Sequence, residues 1–338
     1  MNILIVAPEQ VKRDERYMDD KGWAFDCAFQ RLGLHTRLFF YRKMGRLILF
    51  ESHKYLRYLW LSYMNKSLLD EVRRNKPDLL FLSRAETVYP ETLWEIRKNT
   101  QTLIVNVFTD NPLSIGKFEA IEPCHYFFVK DTYVLDTLRK AGLKNVRYLP
   151  QCTNPDVYRP YESDESDREC LRSEVSLVGS RYSYRVRLLR ELEEFNIALW
   201  GRGWSKVSDK RLLQSVRGGD IRGPKKARVF SGSAISLNPH HPLNDIRGTN
   251  SRTFDIAACK GFQLSDDKED LRGLLKPGEE VICFRTPEEL RKLAGYYLSH
   301  PDERKQLSEA AYQRVLKDHT YFNRASEILD IVRNTPRV

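Results

Sequence analysis

Apolar positions along this chain fall into short β-branched runs that alternate with longer stretches of helical period. The run at 2–8, with Ile3, Leu4, Ile5 and Val6 in succession, reads as a buried opening strand. Residues 22–32 then put Trp23, Phe25, Ala28, Phe29 and Leu32 at helical spacing, and Gly33 supplies the stop. Further strands are expected at 36–41, 79–83, 102–108, 125–129 and 146–149, with helices at about 47–74, 90–98 and 132–141 between them. Strands and helices alternating at this pace imply a parallel sheet covered on both faces.

The pattern breaks at 161–172, which is acidic, polar and nearly free of apolar residues, and so reads as a linker. Alternation then restarts, with strands expected at 175–178, 197–200, 234–237, 263–265 and 281–284. Helices are expected at 184–194, 251–259, 287–298, 301–317 and 321–333. The chain therefore divides into an α/β domain over 1–160, a linker, a second α/β domain over 173–317 and a C-terminal helix over 318–338. Two such units would place a ligand cleft at the facing carboxyl ends of their strands.

Composition agrees with a folded protein of two ordinary domains: 338 residues, 41% hydrophobic and 11% aromatic. No run approaches the roughly 20 apolar residues that cross a bilayer, and the N-terminus lacks a signal-peptide pattern, so a cytoplasmic protein is expected. The six cysteines are scattered without a C-x-x-C pair, which argues against zinc and against a disulfide scaffold. A net charge of +10 raises nucleic acid, but the basic residues run through the whole chain with no recognised reading motif, so no nucleic-acid partner is expected. The basic and apolar stretch 41–60 reads first as a core-packed helix. Its second reading is a face that meets an anionic membrane from the inner side.

Candidate chemistry concentrates in the second domain. Gly179 ends a strand, and Ser180, Arg181 and a helix follow, an order suited to a phosphate. The loop 201–204 holds Gly203 and Trp204. Asn238 ends another strand, His240 and His241 follow it, and Asn250 and Ser251 stand as N-cap candidates before Arg252, Thr253 and Asp255. Amides and Arg252 would take diphosphate charge, and Asp255 would accept hydrogen bonds from ribose hydroxyls. In the first domain Asp110, just past a strand, is a candidate general base. No Asp-x-Asp ends a strand, and Asp19-Asp20 and Asp266-Asp267 are adjacent pairs, so neither a metal site nor a bound cofactor is expected.

These motifs resemble, in order, those of the spore-maturation (CgeB-like) glycosyltransferase family, a GT-B group. The resemblance runs through Val178-Gly179-Ser180, Trp200 to Trp204, Leu237-Asn238 and Asn250 to Cys259. It continues through Phe262 to Asp266, Pro277 to Val281, Glu288 to Leu290, Tyr297, Pro301, Arg304, and His319 to Arg324. The first half matches through Lys76-Pro77-Asp78, Thr109 to Pro112 and Tyr148 to Pro155. It departs where Asp255 replaces a typical glutamate and Lys260 a typical glycine. The resemblance implies two Rossmann-like domains with a central cleft and a last helix crossing back to the first domain. It further implies a nucleotide-sugar as co-substrate in the second domain and an acceptor of unknown identity in the first, with transfer independent of metal. Arg222 and Gly223 would meet the base edge, and His319 and Arg324 would be structural. Retention is the stereochemistry favoured by the acid at 255, although Arg247 occupies the spacing of the first acid of the usual two-glutamate pattern. A non-catalytic nucleotide-sugar binding or scaffold protein on the same fold is the alternative.

Overall fold

The computed structural model describes residues 1–7, 21–40, 54–84, 86–116, 118–161 and 172–334. It separates into two compact units, Met1–Pro150 with Tyr321–Val338, and Gln151–Thr320.

Unit 1 is a parallel sheet ordered β2-β1-β3-β4-β5-β6. Its strands are β1 Asn2–Ala7, β2 His35–Phe40, β3 Leu79–Ser83, β4 Leu103–Phe108, β5 Tyr126–Val129 and β6 Val146–Tyr148. The helices are α1 Lys21–Arg31, α2 Lys54–Asn75, α3 Pro90–Asn99, α4 Pro112–Ile115 and α5 Thr132–Lys140, joined by the C-terminal α13 Tyr321–Asn334. Strand residues alternate between two cores. Leu4 and Val6 pack with Met64 and Leu68 of α2, while Ile3 and Ile5 pack with Phe25 of α1 and Ile328 of α13. This two-sided burial explains why the strands read as unbroken apolar runs. The last helix is thus a layer of unit 1. Tyr321 meets Phe25 edge-on with centroids 5.0 Å apart, and Arg324 donates to the Pro150 carbonyl at 2.8 Å.

Unit 2 is a parallel sheet ordered β12-β11-β10-β7-β8-β9. Its strands are β7 Val175–Val178, β8 Ile197–Trp200, β9 Val216–Gly218, β10 Ile235–Asn238, β11 Gln263–Asp266 and β12 Ile282–Phe284. Its helices are α6 Ser183–Arg190, α7 Lys210–Gln214, α8 Gly223–Gly232, α9 Arg252–Ala258, α10 Leu271–Leu274, α11 Pro287–Ser299 and α12 Pro301–Asp318. From β7 the chain runs outward through β8 to β9, then returns to lay β10 on the other side of β7. This order makes β7/β10 the topological switch point, where ligands of open α/β sheets bind.

Several boundaries differ from the sequence pattern. The units divide at Pro150 rather than at 160, because Thr153 and Tyr158 are buried against side chains of unit 2. The second division falls at Thr320, a residue bridged to Thr153. Strand β9 and helix α8 escape the hydrophobic pattern: β9 has only three residues, and α8 opens on Gly-Pro. Of the linker, 162–171 lies outside the described residues, as do 41–53 of the basic stretch and Asp19-Asp20. Cys124 is buried and its thiol is pushed up to about 12 by desolvation, in keeping with an inert core residue. Among the described residues no helix is long and apolar enough to cross a membrane.

Candidate donor site at the β7/β10 switch point

The strand ends of unit 2 bring two arginines onto one glycine. Gly179 follows β7 with φ +153, a conformation that L side chains avoid, and its amide bonds the Trp200 carbonyl at 2.8 Å. A β-carbon added there would lie 2.5 Å from Arg185 Nη1 and 2.8 Å from Arg252 Nη1. Gly201 backs onto the Gly179 carbonyl so closely that it too has no room for a β-carbon. Trp204, fully buried, donates from its indole to that carbonyl at 2.8 Å. The loop is therefore fixed from behind, and its front is left to the guanidiniums.

Both arginines are held by neutral acceptors. Arg185 donates to the Ser180 carbonyl at 2.7 Å and to the Pro239 carbonyl at 3.0 Å. Arg252 donates to the same Pro239 carbonyl at 3.3 Å and to Asn238 Oδ1 at 3.1 Å. Among the described residues no carboxylate is hydrogen-bonded to either. Burial first, then mutual repulsion, lowers Arg185 to about 9, and burial lowers Arg252 to about 10. Both remain charged at neutral pH. The buried Arg185 Nε has no hydrogen-bond partner. Two like charges packed together at a free energy cost form a site that an anion would relieve.

A buried polar layer supports this pair. Asn238, wholly buried, donates to Thr253 Oγ1 at 3.1 Å and accepts from Asn250 Nδ2 at 3.1 Å. Asp266 Oδ1 accepts from the His240 amide at 2.9 Å and meets His240 Nδ1 at 2.6 Å. His240 is lowered from its usual value chiefly by burial. Asp266 is held low by His240 and Lys268 against the opposing effect of burial. Because β10 and β11 are neighbours, this dyad fixes the turn whose Pro239 carbonyl both arginines share.

Residues 181–330 match a family described as glycosyl transferase-like. The spore protein CgeB of Bacillus subtilis is 26% identical over 199 residues, which cover 54% of this chain and 60% of that protein. In fold, the chain is similar to sucrose-phosphate synthase from Thermosynechococcus elongatus, with a TM-score of 0.68, 12% identity and 98% of each chain covered. HepE from Anabaena, solved with UDP and glucose, gives 0.65 at 10% identity, over 99% of this chain and 100% of that one. The catalytic domain of starch synthase IV from Arabidopsis thaliana, bound to ADP and acarbose, gives 0.72 at 9% identity over 98% of each. The chain thus has the GT-B fold and is similar in its second half to CgeB and to glycosyl transferase-like proteins. The matched stretch spans somewhat under two thirds of CgeB itself.

The expected donor residues sort into two sets. Gly179, Ser180, Arg181, Gly203, Asn250, Ser251 and Arg252 keep exposed surface, and Arg181 donates to the Gly203 carbonyl at 3.0 Å. Trp204, Asn238, His240 and Thr253 are buried. Asp255 departs from expectation. It is 2% exposed, with Oδ1 accepting from Thr153 at 2.9 Å and Oδ2 paired with Lys226 at 2.9 Å, so its carboxylate is turned to the interior. Its side chain is one methylene shorter than glutamate, and its charge is paired with a buried lysine. Ser251 makes no side-chain cap and is itself helical. Arg222 is exposed and lies 3.6 Å from Asp220, and Gly223 opens α8 rather than closing a strand.

Lys260 takes φ +54, the left-handed turn that glycine favours. Its amide bonds the Ala257 carbonyl and that of Gly261 bonds Ile256, a Schellman stop to α9. His319 and Arg324 are buried on backbone carbonyls, His319 on Leu274 at 2.8 Å. In unit 1, Asp110, the candidate general base, has its Oδ2 2.6 Å from Arg84 Nη1. Sequence reasoning missed Arg185 as a site residue and Lys226 altogether. Arg185 was legible only as a surface arginine on α6, and Lys226 sat in a helix the pattern did not reveal.

Proposed function

We propose that this protein transfers a glycosyl group from a nucleoside-diphosphate sugar to a hydroxyl-bearing acceptor, with the diphosphate seated on Gly179 between Arg185 and Arg252. The observation that carries the reading is the convergence of those two guanidiniums on one glycine, held only by neutral acceptors. HepE with UDP and starch synthase IV with ADP support a nucleoside diphosphate as the ligand class. As the bond from the sugar to the diphosphate breaks, the leaving group gains charge, and pre-positioned guanidiniums stabilise it without reorganising. That role is filled by side chains, so we assign metal-independent transfer; loss of activity to a chelator with recovery on manganese would reject it. Retention is assigned from the family resemblance, and NMR of the product anomer decides it. Unit 1 takes the acceptor in this reading.

A thermal-shift panel of UDP, GDP, dTDP, CMP and NAD, run on wild type and Arg252→Ala, tests the donor site. Ligand at about 100 times its dissociation constant adds about 2.7 kcal/mol of apparent stability. One diphosphate should shift the wild type and not the variant. If none does, a scaffold role on the same fold becomes the better reading. Exposed Tyr58, Leu59 and Tyr63 beside Arg57 and Lys66 on α2 favour peripheral contact with an anionic membrane. Absence of co-sedimentation with phosphatidylserine vesicles at low salt would remove that part.

A further inference from the structure

The loop between β7 and α6 carries an aromatic residue that the donor reading leaves unused. Tyr182 is 38% exposed, yet its ring is held in place. The Arg185 guanidinium lies over it, 5.0 Å from the ring centroid, and the His241 ring meets it nearly at right angles with centroids 4.4 Å apart. Tyr182 thereby joins the loop after β7 to the loop after β10, the two strands that flank the switch point. A second observation marks the cluster as a ligand site: Arg185 is 2% exposed and its Nε has no partner.

We propose that Tyr182 contacts the donor, its hydroxyl donating a hydrogen bond to the diphosphate that Arg185 and Arg252 hold. The inference rests on the donor reading above. A phenol is suited to this place. It adds a neutral donor where a third cation would deepen the repulsion, and an O–H···O⁻ bond to a phosphate oxygen is charge-assisted. Its ring keeps Arg185 over the site through a cation–π contact. As the N-cap of α6, Tyr182 makes no capping bond with its side chain. The hydroxyl is therefore not spent on the helix.

Calorimetric titration of UDP, and separately of inorganic pyrophosphate, into wild type, Tyr182→Phe, Tyr182→Ala and Arg252→Ala tests the contact. Tyr182→Phe keeps the ring and should weaken both ligands roughly ten- to a hundredfold, the range for a hydrogen bond to a charged group. Tyr182→Ala should weaken them further, because Arg185 also loses its ring. The ligand-free melting temperature of the Phe variant should match wild type, since only an exposed hydroxyl is lost. Wild-type binding by Tyr182→Phe, with Arg252→Ala impaired, would overturn the Tyr182 contact and leave the donor site standing. Weakening toward UDP alone would also overturn it, by placing the hydroxyl on the nucleoside. If neither ligand binds wild type, the donor reading falls, and this inference with it.

Discussion

The two units build the same kind of sheet and treat the charges at their strand ends in opposite ways. In unit 1, Arg84 follows β3 in a left-handed turn and pairs with Glu86 and Asp110, each at 2.6 Å, with 47% of its side chain exposed. In unit 2, Arg185 and Arg252 approach each other on Gly179 and share a carbonyl. One loop set neutralises its own cation in water; the other packs two cations side by side, Arg185 buried and Arg252 half-buried. Sheet topology fixes where a site can form, and the side chains delivered there fix what it can hold.

The largest effect expected from breaking this contrast lies behind the donor loop. Lys226→Met strands the buried Asp255 charge and should cost about 3–5 kcal/mol in urea unfolding. Pairing it with Asp255→Leu should recover most of that loss, since an apolar pair of similar volume needs no partner. Gly179→Ala keeps both arginine charges but displaces both guanidiniums. Nucleotide affinity should fall on the order of a hundredfold, by analogy with other ångström-scale misplacements, and near-wild-type binding would show that charge without position suffices. Arg84→Ala in unit 1 should change stability by no more than about 1 kcal/mol, because its partners stay hydrated. The smallest effect concerns Lys260, whose φ of +54 suits glycine. Lys260→Gly should stabilise by up to about 1 kcal/mol, less whatever the contacts with Glu309 and Tyr312 contribute.

Much of the fold was legible because the relevant signal is local. The β1 and β7 runs, the glycine stop after α1 and the acidic break near 165 all lie within a window a strand or helix long. The candidate donor site was legible only at its edge. Gly179 and Arg252 stood out because a glycine ending a strand and an arginine opening a helix carry meaning at short range. Asp255 misled for the same reason. Its place one turn after Arg252 suggested a shared, ligand-facing surface, whereas Thr153 and Lys226, distant in sequence, drew it inward. Asp266 was read beside Asp267 as a failed metal pair, and its partner His240 lies across a strand pairing that no window contains.

The sequence alone determined the alternation of strands and helices, the presence of two α/β units and the resemblance to CgeB-like transferases, because hydrophobic period and motif spacing are properties of neighbouring residues. Only the tertiary structure decided that Arg185 joins Arg252 and that Asp255 faces Lys226. Each of these depends on which strands lie side by side. Strand order is set by packing across the whole sheet, and that packing brings together charges that no stretch of chain holds close.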